Sequence, residues 1–129
     1  MDIYRENVLD HYKNPRNFGN MRKPNARHKD SNPYCGDEVE FFLRIDSKGI
    51  ITQAKYFGTG CAISQASASM LSEKLRGMQL EEALKLGKEE VEDWIGSRLA
   101  PTRLKCALLP LLVVKTAILK FENKKPAEK

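Results

Sequence analysis

In the stretch Phe57-Gly58-Thr59-Gly60-Cys61-Ala62-Ile63-Ser64, a cysteine stands between a predicted strand and a predicted helix. Gly58 and Gly60 permit a turn with positive φ and a close approach of the backbone to a bound ion. Residues 62–76 repeat apolar side chains at helical spacing, so Cys61 lies just before the first helical turn. The unpaired amides of a helix start carry partial positive charge, which stabilises a thiolate. A chemical role for Cys61 is therefore predicted.

The segments before this cysteine predict a β-hairpin and a short helix. Apolar and polar residues alternate over 39–45, residues 46–49 supply a turn, and residues 50–57 run back as a second strand. Residues 17–33 show no periodicity, which predicts a surface loop. The helical spacing of apolar residues over 4–12 predicts an N-terminal helix that docks on the body of the protein.

Three more helices are predicted after the central helix, which spans residues 62–76. Residues 80–86 and 91–95 suggest two short helices that pack over the sheet. Residues 108–119 are apolar nearly all round, as expected of a helix buried in a core. Pro110 fits best in the first turn of this helix. A helix that starts there places Cys106 immediately before its first turn, in the same local context as Cys61.

Composition bounds the class of protein. The chain has 129 residues, 41% of them hydrophobic and 30% charged, which predicts one globular domain over residues 1–129. No apolar stretch is long enough to span a bilayer, and the first residues do not resemble a secretory signal. Three cysteines, an odd number, fit a reducing compartment better than a disulfide framework, so a cytoplasmic location is predicted.

The net charge of +5 is spread over the chain without interleaved aromatic residues. This pattern is typical of a solvated basic surface, or of a surface that meets an acidic protein, rather than of a nucleic-acid site. Neither nucleic acid nor membrane is predicted as a partner.

The three cysteines all fall at the ends of predicted elements. Cys35 precedes the first strand of the hairpin, and Asp37 follows it by two residues. A lone cysteine is often a small buried hydrophobe and a turn carboxylate is often a cap, but the shared context favours one site. Three thiolates and a carboxylate supply the four ligands of tetrahedral zinc or of an iron–sulfur cluster, without the paired Cys-x-x-Cys of a zinc ribbon.

Four blocks of sequence, in order, make this chain similar to the IscU/NifU/SufU family of iron–sulfur cluster assembly proteins. They are Asp10-His11-Tyr12-Lys13-Asn14-Pro15-Arg16-Asn17-Phe18-Gly19, Asn32-Pro33-Tyr34-Cys35-Gly36-Asp37, Gly58-Thr59-Gly60-Cys61-Ala62-Ile63-Ser64-Gln65-Ala66-Ser67 and Arg103-Leu104-Lys105-Cys106. The resemblance implies an α+β fold, a small antiparallel sheet covered by helices. It also implies a metal and cluster site built from Cys35, Asp37, Cys61 and Cys106.

Two departures place the chain between the groups of this family. Lys105 stands where IscU-type members usually carry a histidine, as in SufU-type members, whereas the spacing from Cys61 to Cys106 is IscU-like. The chaperone-recognition run of IscU-type members is kept only in part, at residues 99–103. Recruitment of that chaperone is therefore not predicted.

The resemblance implies a scaffold rather than an enzyme. Such a scaffold accepts sulfur from a cysteine desulfurase, assembles a transient 2Fe-2S cluster with iron and transfers it to recipient apoproteins, as a monomer or as a homo-oligomer around a shared cluster. Cys106 is the predicted sulfur acceptor, with the Lys105 ammonium assisting its thiolate, and Cys35 is the alternative acceptor. Zinc is expected in the isolated protein. The alternatives are a zinc-dependent sulfurtransferase of SufU type and a small zinc-stabilised binding module.

Overall fold

The computed structural model describes residues 3–32 and 36–124, which form five helices and three strands. In chain order these are α1 (Ile3–Lys13), β1 (Ala26–Asn32), β2 (Asp37–Ile45), β3 (Ile51–Thr59), α2 (Ala62–Leu75), α3 (Leu80–Lys85), α4 (Lys88–Ile95) and α5 (Pro101–Lys124). The predicted N-terminal helix, the hairpin, the central helix and the two short helices are all confirmed.

The hairpin of β2 and β3 is the centre of the sheet because alternate residues of each strand face the core. The core-facing residues of β2 are fully or nearly fully buried: Val39, Phe41, Leu43 and Ile45. Asp46 tightens the turn, since its Oδ1 accepts from the backbone N–H groups of Lys48 and Ile50 at 2.9 and 3.0 Å. Helices α2 and α5 cover the core face of the sheet and pack against each other.

The prediction of a loop over residues 17–33 is wrong for its second half. Ala26–Asn32 pairs antiparallel with β2, from Ala26 opposite Leu43 to Asn32 opposite Asp37, and so forms an edge of the sheet in the order β1-β2-β3. Along β1 only Ala26 is buried, and the other residues are polar. Such a strand carries no alternating apolar signal, and its pairing with β2 decides its conformation.

Two predictions about the later helices are also corrected. The short helices make their main contacts with other helices rather than with the sheet: α3 packs on α5, and α4 packs on α1, α2 and α5. Helix α5 begins at Pro101, not near Leu108, and Pro110 lies inside it. Both prolines satisfy the rule for a helix start, but Pro101 occupies the first position of the actual helix.

Polar contacts between the chain after α1 and the buried serines of α2 fix the N-terminal helix. The Ser69 hydroxyl accepts from the backbone N–H of Arg16 at 2.9 Å and contacts His11 Nδ1 at 2.7 Å. The Asn17 amide donates to the Ser72 hydroxyl at 3.1 Å. Among the helices formed by residues 3–32 and 36–124, none has the length and apolar character needed to cross a membrane.

Candidate metal centre

Three of the four predicted ligands meet at one end of the sheet. One ligand atom each from Asp37, Cys61 and Cys106 lies within 4.8 Å of the other two. These residues come from the start of β2, the start of α2 and the first part of α5. The fourth predicted ligand, Cys35, lies outside the described residues.

Asp37 is fully buried and links β2 to the loop before α2. Its Oδ1 accepts from the backbone N–H of Cys61 at 2.8 Å, while its Oδ2 lies 3.8 Å from the Cys61 sulfur. One oxygen of the carboxylate therefore caps the loop, and the other faces the thiol. The sequence alone leaves two interpretations of Asp37, a turn cap and a metal ligand. In the structure each role uses a different oxygen atom of the carboxylate.

The backbone immediately before α2 sets the position of Cys61. Gly60 has φ of +147°, and a Cβ at this position would collide with the Asp37 side chain. Cys61 is the N-cap residue of α2, as predicted, and its sulfur accepts from the backbone N–H of Ser64 at 3.5 Å. This cysteine is exposed. The positive φ at Gly60 thus leads the chain past Asp37 and leaves an accessible thiol at a helix start.

Cys106 lies in a different setting from the one predicted. It is the sixth residue of α5 rather than a residue before a helix, and only 5% of it is exposed. Because helix-start stabilisation of charge fades within the first turn, that argument does not apply to this thiol. Lys105, its neighbour, lies on the same helix with an exposed side chain.

A buried hydrogen bond from α2 anchors this part of α5. The Ser67 hydroxyl donates to the backbone carbonyl of Ala107 at 2.6 Å, and Ser67 is 2% exposed. Pro110 has no N–H, so it cannot supply the bond that a helix normally directs to the carbonyl of Cys106. The Ser67 contact therefore joins the two helices beside the point where the regular ladder of α5 is interrupted. It also connects the helix that starts at Cys61 to the residue after Cys106.

Sequence reasoning assigned Ser67 only to the helical pattern of α2 and missed this role. The available signal is the repeated serine among the apolar residues of this helix, at positions 64, 67, 69 and 72. All four serines are buried. Because a buried hydroxyl needs a partner, such a run predicts contacts to neighbouring backbone, although it does not name them.

The donor set fits a thiophilic divalent ion. Two sulfurs and a carboxylate oxygen are ligands that zinc and iron accept. In a tetrahedral zinc site, a carboxylate oxygen and a sulfur stand about 3.5 to 3.7 Å apart. The 3.8 Å between Asp37 Oδ2 and the Cys61 sulfur is slightly longer than this separation. The described residues thus provide three converging ligands, and a further ligand would complete a tetrahedron.

Comparison with known proteins identifies the family of this chain. The family model of the NifU-like N terminal domain matches residues 3–128. This chain belongs to the NifU-like N-terminal domain family. The resemblance drawn from the four sequence blocks is confirmed, and so is the fold class of a small antiparallel sheet with helices.

Relatives within the family carry two different functional names. The chain is 35% identical over 129 residues to the iron–sulfur cluster assembly scaffold protein IscU of Haemophilus influenzae, covering 94% of this chain and 97% of that one. It is 34% identical over 138 residues to the zinc-dependent sulfurtransferase SufU of Bacillus subtilis, covering 94% and 92%. A crystal structure of a NifU-like protein (N-terminal) from Brucella abortus has a TM-score of 0.80 at 21% identity and covers 96% and 97% of the two chains. At that identity the likeness concerns the fold alone.

Proposed function

We propose that this protein is a scaffold on which an iron–sulfur cluster is assembled and then released to recipient apoproteins. The observation that carries the proposal is the convergence of Asp37, Cys61 and Cys106 within 4.8 Å at one end of the sheet. Thiolates hold both iron and sulfide, and they also accept sulfur, so one residue type serves binding and assembly. The scaffold name of the Haemophilus relative supports this function.

Sulfur enters by exchange at a thiol of the scaffold. A scaffold thiolate attacks the terminal sulfur of a persulfide on a cysteine desulfurase, a new S–S bond forms on the scaffold, and the donor cysteine leaves as thiolate. Two electrons from an external thiol reductant then release the added sulfur as sulfide. Iron and sulfide are the substrates, and Cys35 completes the proposed ligand set with the three converging residues.

The carboxylate of Asp37 suits a site that must let its cargo go. An oxygen ligand is harder and exchanges more readily than a fourth thiolate would, so transfer of a 2Fe-2S cluster to a recipient is easier. The same ligands hold zinc well, and isolated protein is expected to contain zinc whether or not iron is the working metal. Zinc content alone therefore does not separate the functions.

Lys105 and the two candidate acceptors, Cys106 and Cys35, supply the specific chemistry of sulfur entry. An ammonium cannot coordinate a metal, but a positive charge one residue from Cys106 along α5 favours an attacking thiolate and an anionic cluster. Free thiols at Cys61 and Cys106 suit a reducing compartment, so we place the activity in the cytoplasm, with a cysteine desulfurase as sulfur source.

Anaerobic purification followed by analysis of metal and acid-labile sulfide tests the proposed function. A scaffold incubated with desulfurase, cysteine, ferrous iron and a thiol reductant gains iron and sulfide in comparable amounts. The alternative function is that of a zinc-dependent sulfurtransferase, as the Bacillus relative is named. In that case the protein takes up sulfur but gains no iron. Protein that gains neither sulfur nor iron contradicts both functions.

Peptide mass spectrometry after brief incubation with desulfurase and cysteine identifies the first acceptor. We expect the added 32 Da of one sulfur atom, roughly, on the peptide of Cys106, and slower uptake in Lys105→Ala. First labelling on Cys35 with an unchanged rate in Lys105→Ala removes Lys105 from the mechanism and leaves the metal site intact.

A further inference from the structure

A groove of about 500 Å³ runs beside the candidate metal centre. It lies between the end of β1, the start of α4 and the middle of α5. Its floor is apolar and comes from four leucines of α5, at positions 108, 109, 111 and 112. Lys105, the neighbour of Cys106, lines one end, so the groove and the metal centre are adjacent along α5.

The α5 side of the groove is a regular stripe. Residues 105, 108, 112 and 115 read Lys, Leu, Leu, Lys at spacings of three and four, which places them on one face of the helix. Leu112 is 54% exposed although the surrounding run is apolar nearly all round. Core packing therefore does not explain this leucine.

The rim of the groove is positively charged. Lys88 at the start of α4 joins Lys105 and Lys115, and no carboxylate is among the described residues that line the groove. An apolar floor with a cationic rim is complementary to a helix that carries leucine-like side chains on one face and carboxylates beside them. The net charge of +5 for the whole chain attracts an acidic partner as well.

We infer that the sulfur donor docks an acidic, leucine-bearing segment in this groove. The inference rests on the proposed function, because it identifies where the desulfurase binds. A donor must bring its persulfide to an acceptor thiol, and Cys106 is almost fully buried. A partner segment seated on Leu108 and Leu112 lies next to Lys105 and holds the donor beside that thiol.

Binding of the source organism's own cysteine desulfurase, measured by calorimetric titration with matched variants, tests this surface. Leu112→Ser removes the exposed apolar contact of the groove. Its control is Leu119→Ser, since Leu119 is 50% exposed on the same helix but does not line the groove. Lys88→Glu reverses a rim charge, and Lys48→Glu makes the same change in the exposed turn between β2 and β3.

Leu112→Ser and Lys88→Glu are each expected to raise Kd roughly tenfold, while the two controls bind like wild type. The effect of Lys88→Glu should shrink when salt is raised from about 0.05 to 0.5 M, because an exposed charge pair is screened. If the wild type binds the desulfurase and the groove and control variants have equal Kd, the groove is not the docking site. The proposed function is unaffected by that result. Absence of any binding by wild type contradicts the desulfurase partnership itself. Thermal melts and zinc content of each variant show that the fold and the metal centre are retained.

Discussion

The two described cysteines of the candidate metal centre are held in opposite ways. Cys61 is exposed, and the chain immediately around it fixes its position through Gly60, Asp37 and the first turn of α2. Cys106 is buried within a helix, and its position depends on how α2 packs against α5. Local backbone geometry therefore builds one half of the site, and tertiary packing builds the other.

Gly60→Ala should break the Cys61 half and have the largest effect. The new Cβ adds backbone strain at φ of +147° and a collision with buried Asp37, so the free energy of unfolding should fall by about 3 kcal/mol or more. Gly77→Ala is the matched control, since Gly77 has φ of +89° with no neighbouring atom within 4 Å. In Gly77→Ala only the backbone strain applies, which should lower the free energy of unfolding by about 1 kcal/mol. Urea unfolding of metal-free protein measures both values, and equal costs contradict the collision.

Asp37→Ala tests the carboxylate that joins β2 to this loop. Loss of the acceptor for the Cys61 N–H should lower the free energy of unfolding by roughly 1 to 3 kcal/mol. Asp37→Asn keeps that acceptor, so its stability should stay near that of wild type. Both variants lose the oxygen that faces the thiol and should bind zinc at least about tenfold more weakly. Zinc competition with a chromophoric chelator gives the affinities, and wild-type affinity in Asp37→Asn removes this oxygen from the ligand set.

These contrasts also show what the sequence can predict. Helix-start and hairpin signals around residues 57–64 are local, so the N-cap position of Cys61 follows from spacing and two glycines. Strand β1 has only Ala26 buried, and α5 offers two prolines that both suit a helix start. Partners elsewhere in the chain decide both cases: β2 for the strand, and α2 for the helix around Cys106. The prediction of one domain over residues 1–129 stays a prediction.

Ser67→Ala should loosen the Cys106 half while leaving the Cys61 loop intact. The 2.6 Å bond to the Ala107 carbonyl contributes about 1 kcal/mol, and its loss should also weaken metal binding because Cys106 is less firmly placed. Ser72→Ala, at a fully buried serine that bonds to Arg16, Asn17 and Ser69 instead, should cost at least as much stability without changing metal affinity. The sulfur-to-metal charge-transfer band of the cobalt-substituted protein should shift only in the Ser67 variant. Identical spectra for both variants contradict a positioning role.

The smallest expected effect concerns His11, which contacts the same helix at Ser69, away from both cysteines. Burial lowers the pKa of His11 below its ordinary value of 6.5, and the Arg16 guanidinium lowers it further, against the opposing charge of Glu73. Below pH 6.5 the unfolded chain therefore binds a proton that the folded chain excludes. The stability that neutral His11 provides is complete above this pH and is lost as the pH falls toward the folded pKa.

Urea midpoints of metal-free protein at about pH 7.5 and pH 5.5 should show this loss, since histidine titrates within that range. His11→Gln keeps an amide that can bond to Ser69 but does not titrate, so its midpoint should fall less between the two pH values. Chelation of metal is essential to the measurement because protonation of ligands would otherwise contribute. An equal fall in wild type and His11→Gln assigns the pH dependence to other groups. A smaller fall in the variant shows that the contact between His11 and Ser69 stabilises the fold independently of the metal centre. Docking of α1 on α2 is then a separate contribution from the interactions that position Cys61 and Cys106.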